Sequence, residues 1–319
     1  MDIEALYRCP LDELLLEAWT IRQTHFPPIL RLAAPGAKRY EIEGFRNNPD
    51  RFVAISLTGR ACVLRCEHCQ GQLLESMYPA PTPQLLRDLA DELVARGCQG
   101  VLLSGGADRQ GQVPLDGHLE AIAYLKARGL KVIVHTGLVD KATARGLKTA
   151  GVEQVLVDVI GDEETIRQVY HLDKKPQDYA ATLAALKEVG LTIAPHVVVG
   201  LHFGRIRGEL TALEMITAAE PEAIILVVLN PLPGTPMGRF PPPSAEAVGR
   251  LAAVARILNP ERQINLGCAR PPGPTKARME RLAITAGINA LAYPSETSIA
   301  YARSLALAVE WVEMCCSLT

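Results

Sequence analysis

The stretch Leu119-Glu120-Ala121-Ile122-Ala123-Tyr124-Leu125-Lys126-Ala127-Arg128-Gly129-Leu130-Lys131-Val132-Ile133-Val134 decides the fold. It runs from an amphipathic helical pattern through a basic residue and a glycine stop into a short β-branched run. The same unit recurs along the chain. Strand-like runs occupy 52–57, 100–103, 131–134, 154–159, 192–199, 223–229, 263–266 and 288–292. Helical patterns lie between them at 83–95, 115–127, 140–150, 178–189, 208–218, 245–258 and 276–286. Glycine closes several of these helices, at Gly97, Gly129, Gly151, Gly190 and Gly287. Strand, helix, glycine and strand again imply right-handed crossovers and a parallel sheet. Eight repeats favour closure into an α/β fold of the (βα)8, TIM-like barrel type over an open doubly wound sheet. Residues 51–293 form the expected barrel, 1–50 an N-terminal extension, and 294–319 a single C-terminal helix closing over the barrel. The proline-rich segment 231–243 reads as a loop.

The composition supports one large globular unit. The 319 residues are 48% hydrophobic, and 33 basic against 35 acidic side chains leave a net charge of −2. Such a chain is neither disordered nor drawn electrostatically to nucleic acid or an acidic membrane. No apolar run reaches the roughly 20 residues that span a bilayer, and residues 1–22 lack a secretory apolar core, so the expected location is the cytoplasm. Eight cysteines are too few for a disulfide scaffold in so long a chain and point to metal or catalytic roles.

In such barrels chemistry sits on the loops after the strands. The loop after the first strand reads Ser56-Leu57-Thr58-Gly59-Arg60-Ala61-Cys62-Val63-Leu64-Arg65-Cys66-Glu67-His68-Cys69, a Cys-x3-Cys-x2-Cys set. Tetrahedral zinc would need a fourth ligand; His68 lies between two of the cysteines, and no second pair stands at finger spacing. Iron–sulfur cubanes are normally held by four thiolates, so three leave one iron open to a small-molecule chelate.

Cys62, Cys66 and Cys69 in this position resemble the signature of the radical S-adenosylmethionine (SAM) superfamily. The resemblance implies a 4Fe–4S cluster whose open iron is chelated by the methionyl group of SAM, and a 5′-deoxyadenosyl radical that abstracts hydrogen. It gives His68 the position of a residue that stacks near adenine. Ser104-Gly105-Gly106 after the second strand resembles the family's Gly-Gly-Glu element, which binds the methionyl amine through its backbone; Ala107 stands where the family has its acidic residue. Asn230-Pro231-Leu232-Pro233-Gly234-Thr235-Pro236 resembles a segment near adenosine in many members. Asp158 after strand four is a further cofactor-binding candidate, and Arg167 could fork onto the methionyl carboxylate or pair with Glu163 and Glu164. His135, His196 and His202 also flank strand ends; a lone strand histidine is more often structural.

Of the other cysteines, Cys98 precedes strand two and reads as a small buried hydrophobe. Cys268, Cys315, Cys316 and Cys9 could hold an auxiliary iron–sulfur cluster, or be unrelated buried thiols. The eight-strand count resembles the biotin-synthase-like branch. Within it, Gly267-Cys268-Ala269-Arg270-Pro271, Tyr293-Pro294-Ser295-Glu296 and Cys315-Cys316-Ser317 are similar to the two-component lipoyl synthases. That likeness implies sulfur insertion into an octanoyl chain on a lipoyl domain or peptide, with a sister radical SAM subunit and a ferredoxin-like electron donor. Biotin synthases place auxiliary-cluster cysteines on several strands, whereas strands three and five here carry His135 and His196. A radical mutase or cofactor maturase without sulfur donation is the alternative, and a non-catalytic metal-binding barrel the remote one.

Overall fold

The computed structural model describes residues 2–319. All eight expected strands form, as Phe52–Ser56, Gly100–Ser104, Lys131–Thr136, Gln154–Val157, His196–Val199, Ala223–Val228, Gln263–Leu266 and Ala290–Ala292. Each of the five glycine stops has positive φ, between +70° and +85°, where a side chain would be strained.

The first four strands pair in parallel with one another, and the last four do likewise. Parallel bridges Val155↔Ile193 and Asp158↔His196 join the two sets. The N-terminal extension does more than precede this ring. Its strand Ile29–Ala33 pairs in parallel with Ala290–Ala292, and its helix Leu11–His25 packs Leu14 and Ala18 against the outer helices. The Gly36 N–H then donates to the Phe52 carbonyl at 2.7 Å, across the seam to the first barrel strand.

The expected single helix over 294–319 is corrected. The segment is a helix at Glu296–Ser304, a strand at Ala308–Val312 that pairs in parallel with Ile29–Ala33, and an irregular tail. Positive φ at Ala306 follows the helix, and Val309 and Trp311 then supply a strand's alternating apolar face, with β-branched Val312 beside them. Glu313 and Met314 contact Arg51 and Lys131, at the N-terminal ends of the first and third barrel strands. From there the tail enters the lumen. Cys316 packs among Ala33, Phe52, Ile133, Leu156, Ala194, Ile225 and Ala292, the inward residues of successive strands.

Burial is otherwise dominated by the apolar layer between strands and helices. Among the charges taken inside it, Arg270 and Glu280 pair at 2.8 Å with both side chains nearly inaccessible. Arg270 also donates to the carbonyls of Gly267, Ala292 and Tyr293, and Glu280 accepts from the Ser295 amide and hydroxyl. The pair thereby ties together the loops after strands seven and eight. Burial alone would raise the Glu280 carboxyl, but Arg270, Lys276 and the Ser295 donors hold it below its ordinary value of 4.5. Glu280→Gln keeps the volume and strands a buried guanidinium, so urea unfolding should show a loss of about 3–5 kcal/mol. Because the folded pKa is depressed, this contribution is complete above the ordinary value and disappears as pH falls through the folded one. The gap between wild type and Glu280→Gln should therefore close in acid.

Candidate functional site

The cysteine loop leaves the first barrel strand and is pinned by four neighbours. The Gly106 N–H donates to Thr58 Oγ1 at 2.7 Å, and the Val63 N–H to the Ala107 carbonyl at 3.1 Å. The Glu67 N–H donates to Val169 at 2.9 Å, on the helix Glu163–Tyr170, and the Met237 N–H reaches the Glu67 carbonyl at 3.1 Å. Gln72 Nε2 donates to the Pro233 carbonyl at 3.2 Å, so the Asn230–Pro236 loop lies against the cysteine loop as well. A Cβ on Gly106 would stand 2.5 Å from Cys62 Cα and closer still to the Ala61 carbonyl oxygen. The second glycine is therefore required by backbone-on-backbone approach.

All eight cysteines are free thiols. Cys66 is buried, and Cys62 and Cys69 are half-buried. The hydrogen bond from Cys66, with His68 assisting, holds the Cys69 thiol down at about 4 against the opposing effect of burial, while Cys66 is driven up. Thiols that share protons in this way form a set ready to bind a cationic metal cluster as thiolates. His68 and Tyr170 have ring centroids 5.3 Å apart, and the His68 Nδ1 and Tyr170 hydroxyl are buried without a partner among the described residues. These two orphaned polar atoms beside the thiols fit a polar, partly aromatic ligand.

Below the loop the barrel interior holds a second group. His135 Nε2 lies 3.3 Å from Asp158 Oδ1. His135 and His196 meet edge to face, with centroids 5.2 Å apart. Burial would raise the Asp158 carboxyl, but His135, with help from His196 and His68, holds it at about 2. His196 is pushed down to about 4 by burial and by the charge of His135. His135 itself moves up, since Asp158 outweighs its burial.

A third group is formed by the tail. Asn265 Nδ2 donates to the Cys316 carbonyl at 2.7 Å and Gln154 Nε2 to the Ser317 carbonyl at 3.0 Å; both amides are buried on barrel strands. The Cys315 thiol is held at about 6 by the hydrogen bond with Cys316 and by the Ser317 hydroxyl, despite burial. Cys316 is raised well above its ordinary value, with Cys315 and Cys268 among the causes. Cys268 is solvent-accessible yet within the fields of Cys315, Arg270 and Lys38.

The structure thus brings together Cys62, Cys66, Cys69, His68 and Asp158, and separately Cys315 and Cys316, with Cys268 within their electrostatic reach. It does not bring Cys9 to either group. Cys9 caps the helix Ile3–Arg8, and its carbonyl is held by Arg250 on the outer helix Ala245–Leu258. Arg167 is exposed on its helix and makes no ion pair among the described residues, with Glu163 and Glu164 included. The Ser104 hydroxyl donates to the His135 carbonyl at 3.0 Å and the Gly106 amide is taken by Thr58, so both serve the scaffold. Asn230 and Pro231 are half-buried in the loop that abuts the cysteines. Asp108 does not replace the acidic residue lacking at Ala107, because its carboxylate caps the Gln110 and Gln112 amides. His202 bonds Thr165 at 3.0 Å, and Cys98 donates to the Gly100 carbonyl at 3.2 Å. Residues the sequence reading passed over are Tyr170, Gln154 and Asn265. A polar amide at an inward strand position, as in Ile264-Asn265-Leu266, was the available signal for the last of these.

The family model described as Radical SAM superfamily matches residues 56–205. The biotin synthase of Leptothrix cholodnii is 24% identical over 302 residues, covering 92% of this chain and 80% of that protein. The crystal structure of methylornithine synthase superposes with a TM-score of 0.64 at 19% identity, over 92% of this chain and 81% of that one. The FeFe-hydrogenase maturase of Carboxydothermus hydrogenoformans gives 0.62 at 16% identity, over 90% and 66%. At these identities the structural likenesses establish the barrel fold. No helix among the described residues is long and apolar enough to cross a membrane.

Gly106→Ala should push the Ala61–Cys62 backbone away and cut the iron retained after anaerobic reconstitution severalfold. Gly105→Ala, whose Cβ would lie 3.2 Å from the Thr58 methyl, should keep most of it.

Proposed function

We propose that this chain, a member of the radical SAM superfamily, inserts sulfur into an unactivated carbon of a substrate that enters the barrel lumen. The superfamily works with a 4Fe–4S cluster and SAM, which when bound supply a 5′-deoxyadenosyl radical able to take hydrogen from such a carbon. Cys62, Cys66 and Cys69 would hold the cluster, and the orphaned His68 Nδ1 and Tyr170 hydroxyl would meet SAM. The loop's four backbone anchors keep the three thiols in one orientation. Phe52, Ile133, Leu156, Ile225 and Ala292 pack around Cys316 of the tail and close the lower lumen to water.

The observation that carries sulfur insertion is the tail. Gln154 and Asn265 hold Cys315 and Cys316 inside the barrel in the field of Cys268. Burying two amides to hold the Cys316–Ser317 backbone costs desolvation that merely space-filling side chains would not require. Lys38 and Arg270 beside Cys268 offset the negative charge of a thiolate-held auxiliary cluster there. Cys268, Cys315 and Cys316 are therefore its ligands in this reading, with Cys9 left out. The run of lipoyl-synthase-like segments supports an octanoyl chain on a lipoyl domain as substrate, with a sister subunit and a ferredoxin-like donor. Identity of 24–27% to biotin synthases over most of the chain supports the same branch.

A second reading, a mutase or cofactor maturase without sulfur donation, is favoured by the fold likeness to methylornithine synthase and to the hydrogenase maturase. Iron counting separates the two. Sulfur insertion predicts roughly eight irons per reconstituted chain, falling to roughly four in Cys315→Ala/Cys316→Ala with SAM cleavage retained. It also predicts 5′-deoxyadenosine formation dependent on an octanoyl-lysine peptide, alone or with the sister subunit. Roughly four irons in both forms, without octanoyl-dependent turnover, would favour the second reading.

A further inference from the structure

His135, Asp158 and His196 come from three adjacent strands, and the two-residue period of a strand sets them in one ring. Ile133, Leu156 and Ala194 face the lumen, and each of the three residues lies two positions further along its strand. Asp158 bridges directly to His196, and His135 lies opposite Leu156, one inward position short of Asp158. The result is a cluster of two imidazoles and one carboxylate next to an apolar layer. One ligand atom from each lies within 4.8 Å of the other two.

We propose that this trio is a binding site for a single divalent transition-metal ion such as Zn2+ or Fe2+, distinct from both cysteine groups. His196 Nδ1 lies 3.0 Å from the Ala194 carbonyl, which commits that nitrogen as a donor and leaves the Nε2 lone pair bare. A backbone carbonyl behind a ligating imidazole is the usual device for fixing its tautomer. The His135 and His196 rings stand at 82°, edge to face rather than stacked, so their edges can converge on one point. Metal–ligand bonds of about 2.0–2.2 Å place ligand atoms somewhat over 3 Å apart, so the 3.3 Å between His135 Nε2 and Asp158 Oδ1 already matches. Two nitrogens and one oxygen suit borderline first-row ions better than calcium or magnesium. Three protein ligands leave a position open toward the lumen. A plain His135–Asp158 ion pair would need neither His196 nor its fixed tautomer. The assignment gives Asp158 to the cation instead of to SAM, and it stands whether or not the tail holds a cluster.

The test uses reconstituted protein with its iron–sulfur centres in place. After equilibration with Zn2+ and removal of free ion, the expected result is one zinc per chain beyond the iron, with nitrogen and oxygen alone in its X-ray absorption shell. His196→Ala and His135→Ala should each lower retained zinc at least about tenfold while leaving the iron count and cluster absorbance unchanged. If either variant also loses cluster absorbance, His196→Gln and Asp158→Asn decide by the same count. Absence of stoichiometric zinc, a sulfur shell around it, or zinc retained by the His196 variants would overturn the site.

Discussion

Backbone meets backbone where the second barrel strand ends against the cysteine loop, and the active end of the molecule is organised around that contact. At Gly106 there is room for a hydrogen and nothing larger, because Ala61 and Cys62 occupy the space a Cβ would need. Thr58 Oγ1 takes the amide that the close approach would otherwise leave buried and unpaired. With the loop held there, its other anchors at Ala107, Val169 and Met237 follow from the positions of three further strand-to-helix connections. Three thiols spaced over eight residues can then keep a common orientation without any regular secondary structure of their own.

The lumen below is layered by the alternation of strand side chains. Phe52, Ile133, Leu156 and Ile225 make an apolar layer, and His135, Asp158 and His196 a titratable one. The tail adds thiols from within. Low dielectric makes each charge there dependent on its neighbours. Asp158 is held low because His135 is beside it, and His196 is pushed down by burial first and by His135 second. Buried amides at Gln154 and Asn265 spend their hydrogen bonds on the tail, while Arg270 and Glu280 spend theirs on the loops at the barrel mouth. Packing alone would have been served by apolar residues at these positions. Their polarity reflects an interior built to position groups rather than merely to fill space.

Much of this was legible in the chain. The order of strands and helices followed from glycine stops and β-branched runs, because those signals are local: a glycine with positive φ ends a helix whatever surrounds it. The cysteine loop was equally legible, since its three thiols lie within eight residues. Cys268, Cys315, Cys316 and Cys9 stand in the sequence as one candidate set or as unrelated thiols, and Cys9 lies apart, its carbonyl held by Arg250 on an outer helix.

What the sequence determined by itself, then, is the alternation of elements and the membership of the first loop. Only the tertiary structure decided that the N-terminal strand Ile29–Ala33 joins the ring, that the last segment is a helix, a strand and an inserted tail rather than one helix, and that His135, Asp158 and His196 converge. Those outcomes depend on which strands are neighbours and in what register. Register arises from pairing between residues far apart in sequence, so no local period encodes it.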